Sequence, residues 1–166
     1  MSKTIEVPMP DLEEALAFAK REGLKVVANV HARLFDIDGE LKEERRGHNL
    51  VVNTGLAHIA DQLSASPGQG AMSHMGVGTG TTAAAAGDTA LETALDRNAL
   101  TSRTDSGAVV TYVGTWAAGD GTGAITEYGI FNASSGGTML ARYVDSVINK
   151  GANDTLVVTW TLTFSV

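Results

Sequence analysis

Residues 154–166 read D-T-L-V-V-T-W-T-L-T-F-S-V, and the pattern in them decides the fold. Leu156, Val158, Trp160, Leu162, Phe164 and Val166 share one parity, whereas Thr155, Thr159, Thr161, Thr163 and Ser165 share the other, with Val157 the apolar exception. A period of two is that of a β-strand with one face in a core and one face turned outward. Threonine, β-branched and polar, suits the outward face of a strand better than a helix. A strand this long carries rows of N–H and C=O groups along both edges that neighbouring strands must pair.

The upstream sequence supplies those neighbours. Residues 109–116, 124–131 and 139–147 read as strands separated by the turns 118–123 and 132–137, both rich in glycine. Nearer the start, Val26, Ala28, Val30, Ala32 and Leu34 alternate with Lys25, Asn29, His31 and Arg33, then run into the turn Asp36-Ile37-Asp38-Gly39. A strand over residues 41–52 follows, charged at first and apolar at Leu50, Val51 and Val52, which makes a long hairpin. Residues 71–77, a short helical turn at 91–95 and an edge strand near 99–103 complete a set of about eight strands. Spaced by turns and lacking any helix–strand rhythm, they predict a mainly β fold, an antiparallel two-sheet β-sandwich with a jelly-roll-like arrangement.

Two helices accompany the strands. Asp11 caps the first, Glu13 and Glu14 favour its first turn, and Lys20 and Arg21 lie near its end before Gly23. Leu12, Ala15, Leu16 and Ala19 form its apolar face with Phe18 beside it, so residues 1–23 read as an arm and helix ahead of a β-domain over residues 24–166. A helix of roughly three turns is marginal alone and must dock on something. The second is capped at Asn53 or Thr54, repeats Leu56, Ile59, Ala60 and Leu63, and breaks at Pro67-Gly68.

Composition narrows the function. The chain has 166 residues, 43% hydrophobic and 19% charged, which suits one folded domain and argues against wholesale disorder. A net charge of −7 disfavours nucleic acid as a partner, because no basic stripe exists to neutralise phosphates. Lys42, Arg45 and Arg46 are interleaved with Glu40, Glu43 and Glu44 and read as an exposed strand face. The absence of cysteine excludes disulfides and thiolate chemistry, and no segment has the length and apolarity of a membrane span or an export signal.

Motif chemistry is sparse. Gly76-x-Gly78-x-Gly80 lacks the lysine and helix of a phosphate loop and reads as a strand end where backbones approach closely. Asp36-x-Asp38-Gly39 lacks the distal glutamate of a calcium loop, since position 47 is Gly, and reads as a hairpin turn. The four histidines are dispersed, with His58 and Asp61 sharing a helix face as a surface contact, and no G-x-S-x-G elbow is present. The expectation is a non-enzyme with no catalytic residue, no metal and no cofactor. Among the aromatics, Trp160 belongs to the core, and Trp116, at a strand end beside a flexible turn, is the ligand-facing candidate.

Five stretches stand out from about residue 53 onward: M-G-V-G-T-G-T-T-A at 75–83, D-T-A-L-E-T at 88–93, I-T-E-Y-G-I-F-N at 125–132, G-T-M-L-A-R at 137–142 and D-T-L-V-V-T-W-T at 154–161. Through them the chain resembles a group of small structural proteins of tailed bacteriophages. The resemblance implies assembly into a virion and not a position there; with strand edges that need covering and no site chemistry, the expectation is a capsid decoration or cement protein on the phage head, made in the bacterial cytoplasm, binding the major capsid protein as a homo-oligomer, a trimer. The alternative it implies is a tail or fibre component that docks to the virion or to a host glycan. Contact with the capsid is expected from the arm and helix, through Leu12, Leu16 and Phe18, and from the loop of residues 78–89, read as an extended surface loop, through Gly78, Thr79, Gly80, Thr81 and Thr82.

Overall fold

In the computed structural model, residues 23–166 and Glu13 are described; the arm, most of the first helix and the contact candidates Leu12, Leu16 and Phe18 lie outside the described residues. Among the described residues from 23 on, ten strands and one helix follow in the order β1 Lys25–Phe35, β2 Leu41–His48, β3 Leu50–Val51, α1 Asn53–Gln62, β4 His74–Gly78, β5 Ala94–Ala99, β6 Ser102–Ser106, β7 Val109–Trp116, β8 Gly123–Phe131, β9 Met139–Lys150 and β10 Thr155–Ser165. They form two antiparallel five-stranded sheets, β2-β1-β10-β7-β6 and β3-β9-β8-β4-β5. The organising strand is β10. It pairs along its whole length with β1, from Lys25 opposite Ser165 to Phe35 opposite Thr155, and on its other edge with β7.

Leu156, Val158, Trp160 and Leu162 of β10 point inward, as the period of two requires, and the threonines between them are half-buried on the outer face. The inward residues meet Ala28, Val30, Ala32 and Leu34 of β1 and, from the facing sheet, Met75, Val77, Ile125, Tyr128 and Ile130. One apolar core thus lies between the sheets. Burial of this kind is worth about 25 cal/mol for each Å² of apolar surface.

Two expected strands are each divided, which raises the count from about eight to ten. The strand expected over residues 41–52 breaks at Asn49: β2 stays on β1, while β3 crosses to the other sheet and pairs Leu50 with Arg142. Switching sheets puts Val52 under the outer face of the second sheet, where a continuous hairpin would have left it in water. Similarly β5 lies in one sheet and β6 in the other, and in place of the helical turn expected at 91–95, residues 91–93 are irregular and residues 94–95 open β5. The cap of α1 also differs. Val52 holds the N-cap position with no side-chain bond, and Thr54 Oγ1 donates to Met139 O at 2.9 Å.

Trp116 is fully buried, which removes the one aromatic expected to face a ligand. It shares the inward parity of β7 with Tyr112 and Gly114, and Gly121, at φ 54°, brings the following turn against its indole. The Asp36 turn forms as expected: Asp36 Oδ1 accepts from the amides of Asp38 and Glu40 at 3.0 and 2.9 Å, and Gly39 takes φ 81°.

Candidate functional site

The second sheet is buried on both faces at β8, where residues 125–131 are all buried. Its outer face is covered by the irregular segment 79–93, which runs across it as a strap. Strand parity puts Glu127, Gly129 and Phe131 on that face, with Arg142 beside Gly129 in register. A carboxylate buried this deeply is stable only with compensating donors, and Glu127, fully buried, has them. Its Oε1 accepts from Gly80 N at 3.0 Å and Thr93 N at 2.7 Å; its Oε2 accepts from Glu92 N and Arg142 Nε, both at 3.0 Å. Arg142 Nη2 lies 2.8 Å from the same Oε2 as an ionic contact outside hydrogen-bond geometry.

The other side of Arg142 holds the strap. Nη1 donates to Asp88 Oδ2 at 2.8 Å, and Nη2 lies 3.6 Å from Glu92 Oε2. Glu92 in turn accepts from Thr82, backbone amide at 2.9 Å and hydroxyl at 2.7 Å, and Thr126 Oγ1 donates to Gly80 O at 2.8 Å. Leu91 is buried above Gly76 and Gly129 in a small cluster with Val52, Phe131 and Met139. Side chains at Gly78 or Gly80 would overlap the Glu127 carboxylate, so the glycines are there for close approach. The sequence had pointed to that reading of the Gly76–Gly80 run.

Set against known protein families, curated proteins and solved structures, the chain matches none. The site is therefore read from its own chemistry. With both oxygens of Glu127 occupied by amides and a guanidinium, the group acts as a clamp that fastens the strap to the sheet. Among the described residues no cluster of three or more His, Asp or Glu side chains is placed to hold a metal, and no helix is long and apolar enough to cross a membrane.

Of the expected contact residues, Gly78 and Gly80 are buried inside the clamp, Thr79 is half-buried, and Thr81 and Thr82 are exposed on the strap with Ala83, Ala85 and Ala86. His58 and Asp61 do not pair as a surface contact. His58 is buried, with Nδ1 3.4 Å from Gln69 Oε1, while Asp61 accepts the amides of Gly68 and Gln69, both at 3.0 Å.

The residues that sequence reasoning missed are Asp88, Glu92, Glu127 and Arg142. A signal existed, since Glu127 is the one charge in β8 and Arg142 stands among the apolar residues at the start of β9. Four of the five motifs that carry the phage resemblance supply the clamp: Gly78 and Gly80, Asp88 and Glu92, Glu127, and Arg142.

The clamp has a pH dependence of definite sign. The Ala85 amide and then Arg142 hold the Asp88 carboxyl below its ordinary value, and the Thr82 hydroxyl and amide do the same for Glu92. A carboxyl depressed in the folded state contributes stability that is complete above its unfolded pKa and is lost as pH falls towards the folded one. The thermal midpoint is therefore expected to drop between about pH 5 and pH 3, with a shallower drop in Asp88→Asn. Parallel curves for the two proteins would show that Asp88 has no part in it.

Proposed function

We propose that this protein is a non-enzymatic structural component of a tailed-phage virion: a capsid decoration, or cement, protein that binds between major capsid subunits as a homotrimer and stabilises the head. The observation that carries the reading is the convergence of four resemblance motifs on one clamp. Motifs that hold a strap on a sheet are what a rigid assembly unit shares across its relatives, because the strap then presents a fixed outer surface for a lattice. The partners β1 with β10, β3 with β9 and β4 with β8 are nested along the chain, which is the jelly-roll-like part of the reading.

The contact surface comprises Thr81 and Thr82 on the exposed strap, together with the N-terminal segment. Stabilisation comes from modest contacts repeated over many lattice positions, so that multivalency supplies the strength. The edge strands suit controlled assembly. β2 is lined by Lys42, Glu43, Glu44, Arg45 and Arg46, which deters indiscriminate strand addition, and β6 is short, polar and exposed.

Quantitative peptide mass spectrometry on purified particles tests the proposal by scaling this chain against the major capsid protein. About one copy for each capsid subunit is expected. A few copies per particle would move the protein to the tail or fibre, and its absence from particles would end the virion reading.

A further inference from the structure

The two-sheet core is open at one end. There a groove of about 490 Å³ lies between α1, the end of β10 and the start of β7, lined by Leu24, Ile59, Met72, Val110, Leu140 and Phe164, with His58, Gln62 and Arg103 among the polar groups beside them. Two large apolar side chains on this groove stand in water: Leu24 is 64% exposed and Leu63 is 81% exposed. Such a surface on a folded domain marks a place where something docks.

The chain's own path identifies the occupant. Leu24 is part of the groove wall, and the residues before it reach the wall through the single residue Gly23. Immediately ahead lies the segment whose Leu12, Ala15, Leu16 and Ala19 fall on one helical face with Phe18 beside it. Glu13, on the polar side of that pattern, is helical and exposed. A helix over residues 11–22 is about 18 Å long and too short to hold together in water without a surface.

We propose that this helix seats its apolar face in the groove of the same chain and closes the open end of the core. A connection of one residue gives the tethered helix an effective concentration far above that of a second copy in solution, which favours the chain's own segment. The inference goes beyond the virion reading and does not depend on it. Its bearing on that reading is that Leu12, Leu16 and Phe18 are engaged at home, leaving residues ahead of Pro10 to reach a neighbour.

Because the chain has no cysteine, two introduced ones report the contact without interference. In the full-length purified protein, Leu16→Cys with Leu63→Cys is expected to oxidise to an intrachain disulfide, running as a monomer on a non-reducing gel. It should form at least about tenfold faster than in Leu16→Cys with Ile37→Cys, the latter position lying at the hairpin tip beyond the far end of β1. Disulfide-linked dimers in place of the intrachain product would mean that a second copy fills the groove and would overturn the proposal, as would equal rates for the two pairs. As a second reading, Leu12→Ser/Leu16→Ser should speed amide exchange in α1 and residues 160–165 by about tenfold while β8 is unchanged. Unchanged exchange in α1 would likewise overturn it.

Discussion

Glu127→Leu is expected to lower the free energy of unfolding by about 4 kcal/mol or more, the largest effect of any single substitution proposed for this chain. Removing one member of a buried ion pair costs about 3–5 kcal/mol, because the remaining charge is left without compensation. Here that charge is Arg142, whose side chain is 3% exposed and which would keep only its strap-side partners, Asp88 at 2.8 Å and Glu92 at 3.6 Å. Glu127 also accepts three strap amides, from Gly80, Glu92 and Thr93, and each amide left without an acceptor in a buried place costs about 1 kcal/mol or more.

Arg142→Met should cost less, about 3 kcal/mol, since the three amides still compensate the Glu127 carboxylate. The double variant separates the two roles. Were the pair only an ion pair, leucine and methionine together would restore much of the loss, as buried pairs often tolerate apolar replacement. Because Glu127 is also the anchor of the strap, the double variant should remain less stable than Arg142→Met alone. Urea unfolding followed by the fluorescence of the buried Trp116 and Trp160 measures all three. A Glu127→Leu protein within about 1 kcal/mol of the parent would show that the strap needs no clamp.

Gly55→Ala carries the largest expected effect outside the clamp, and its sign runs against helix propensity. Gly55 lies inside α1, where alanine ordinarily stabilises a helix by about 1 kcal/mol. The helix is packed against β9 so tightly, however, that a methyl group there would overlap the carbonyl of Leu140, a backbone group that cannot swing aside. Overpacking of this kind costs typically 1–3 kcal/mol and occasionally more, so a net loss of about 2 kcal/mol is expected. Gly87→Ala, on the strap with open space around its would-be Cβ, should change stability by less than about 0.5 kcal/mol. The comparison is one of denaturant midpoints, and a Gly55→Ala protein more stable than the parent would mean that α1 does not rest on Leu140.

How much of this was legible depended on whether the cause was local. β10, β7 and β8 could be read because parity along a strand is a property of the strand alone, and their ends in the structure fall within a residue or two of those expected. The break at Asn49 could not be read. It is set by where Val51 and Val52 find cover, beside Ala141 of β9 and against Leu91, Phe131 and Met139, residues far along the chain. Trp116 misled for a related reason: the flexible turn beside it folds back on the indole, which local sequence does not reveal.

The clamp lay between these cases. Glu127 stood out as the one charge in β8, but its union with Arg142 depends on the β8–β9 register, which includes two irregularities. The strap's exposure at Thr81 and Thr82 agrees with a surface loop, whereas its attachment through Gly80 and Glu92 is visible only once that register is fixed.

The pairing of β1 with β10 joins residue 25 to residue 165. Closing so large a loop must be completed before the central contacts of the core reward it, which makes folding slow relative to domains built from local contacts. During synthesis β1 therefore waits, its apolar side chains uncovered, until β10 has emerged from the ribosome. The interval exposes the nascent chain to aggregation, and a chaperone that shields residues 25–35 over that period should raise the yield of folded protein more than one acting after release.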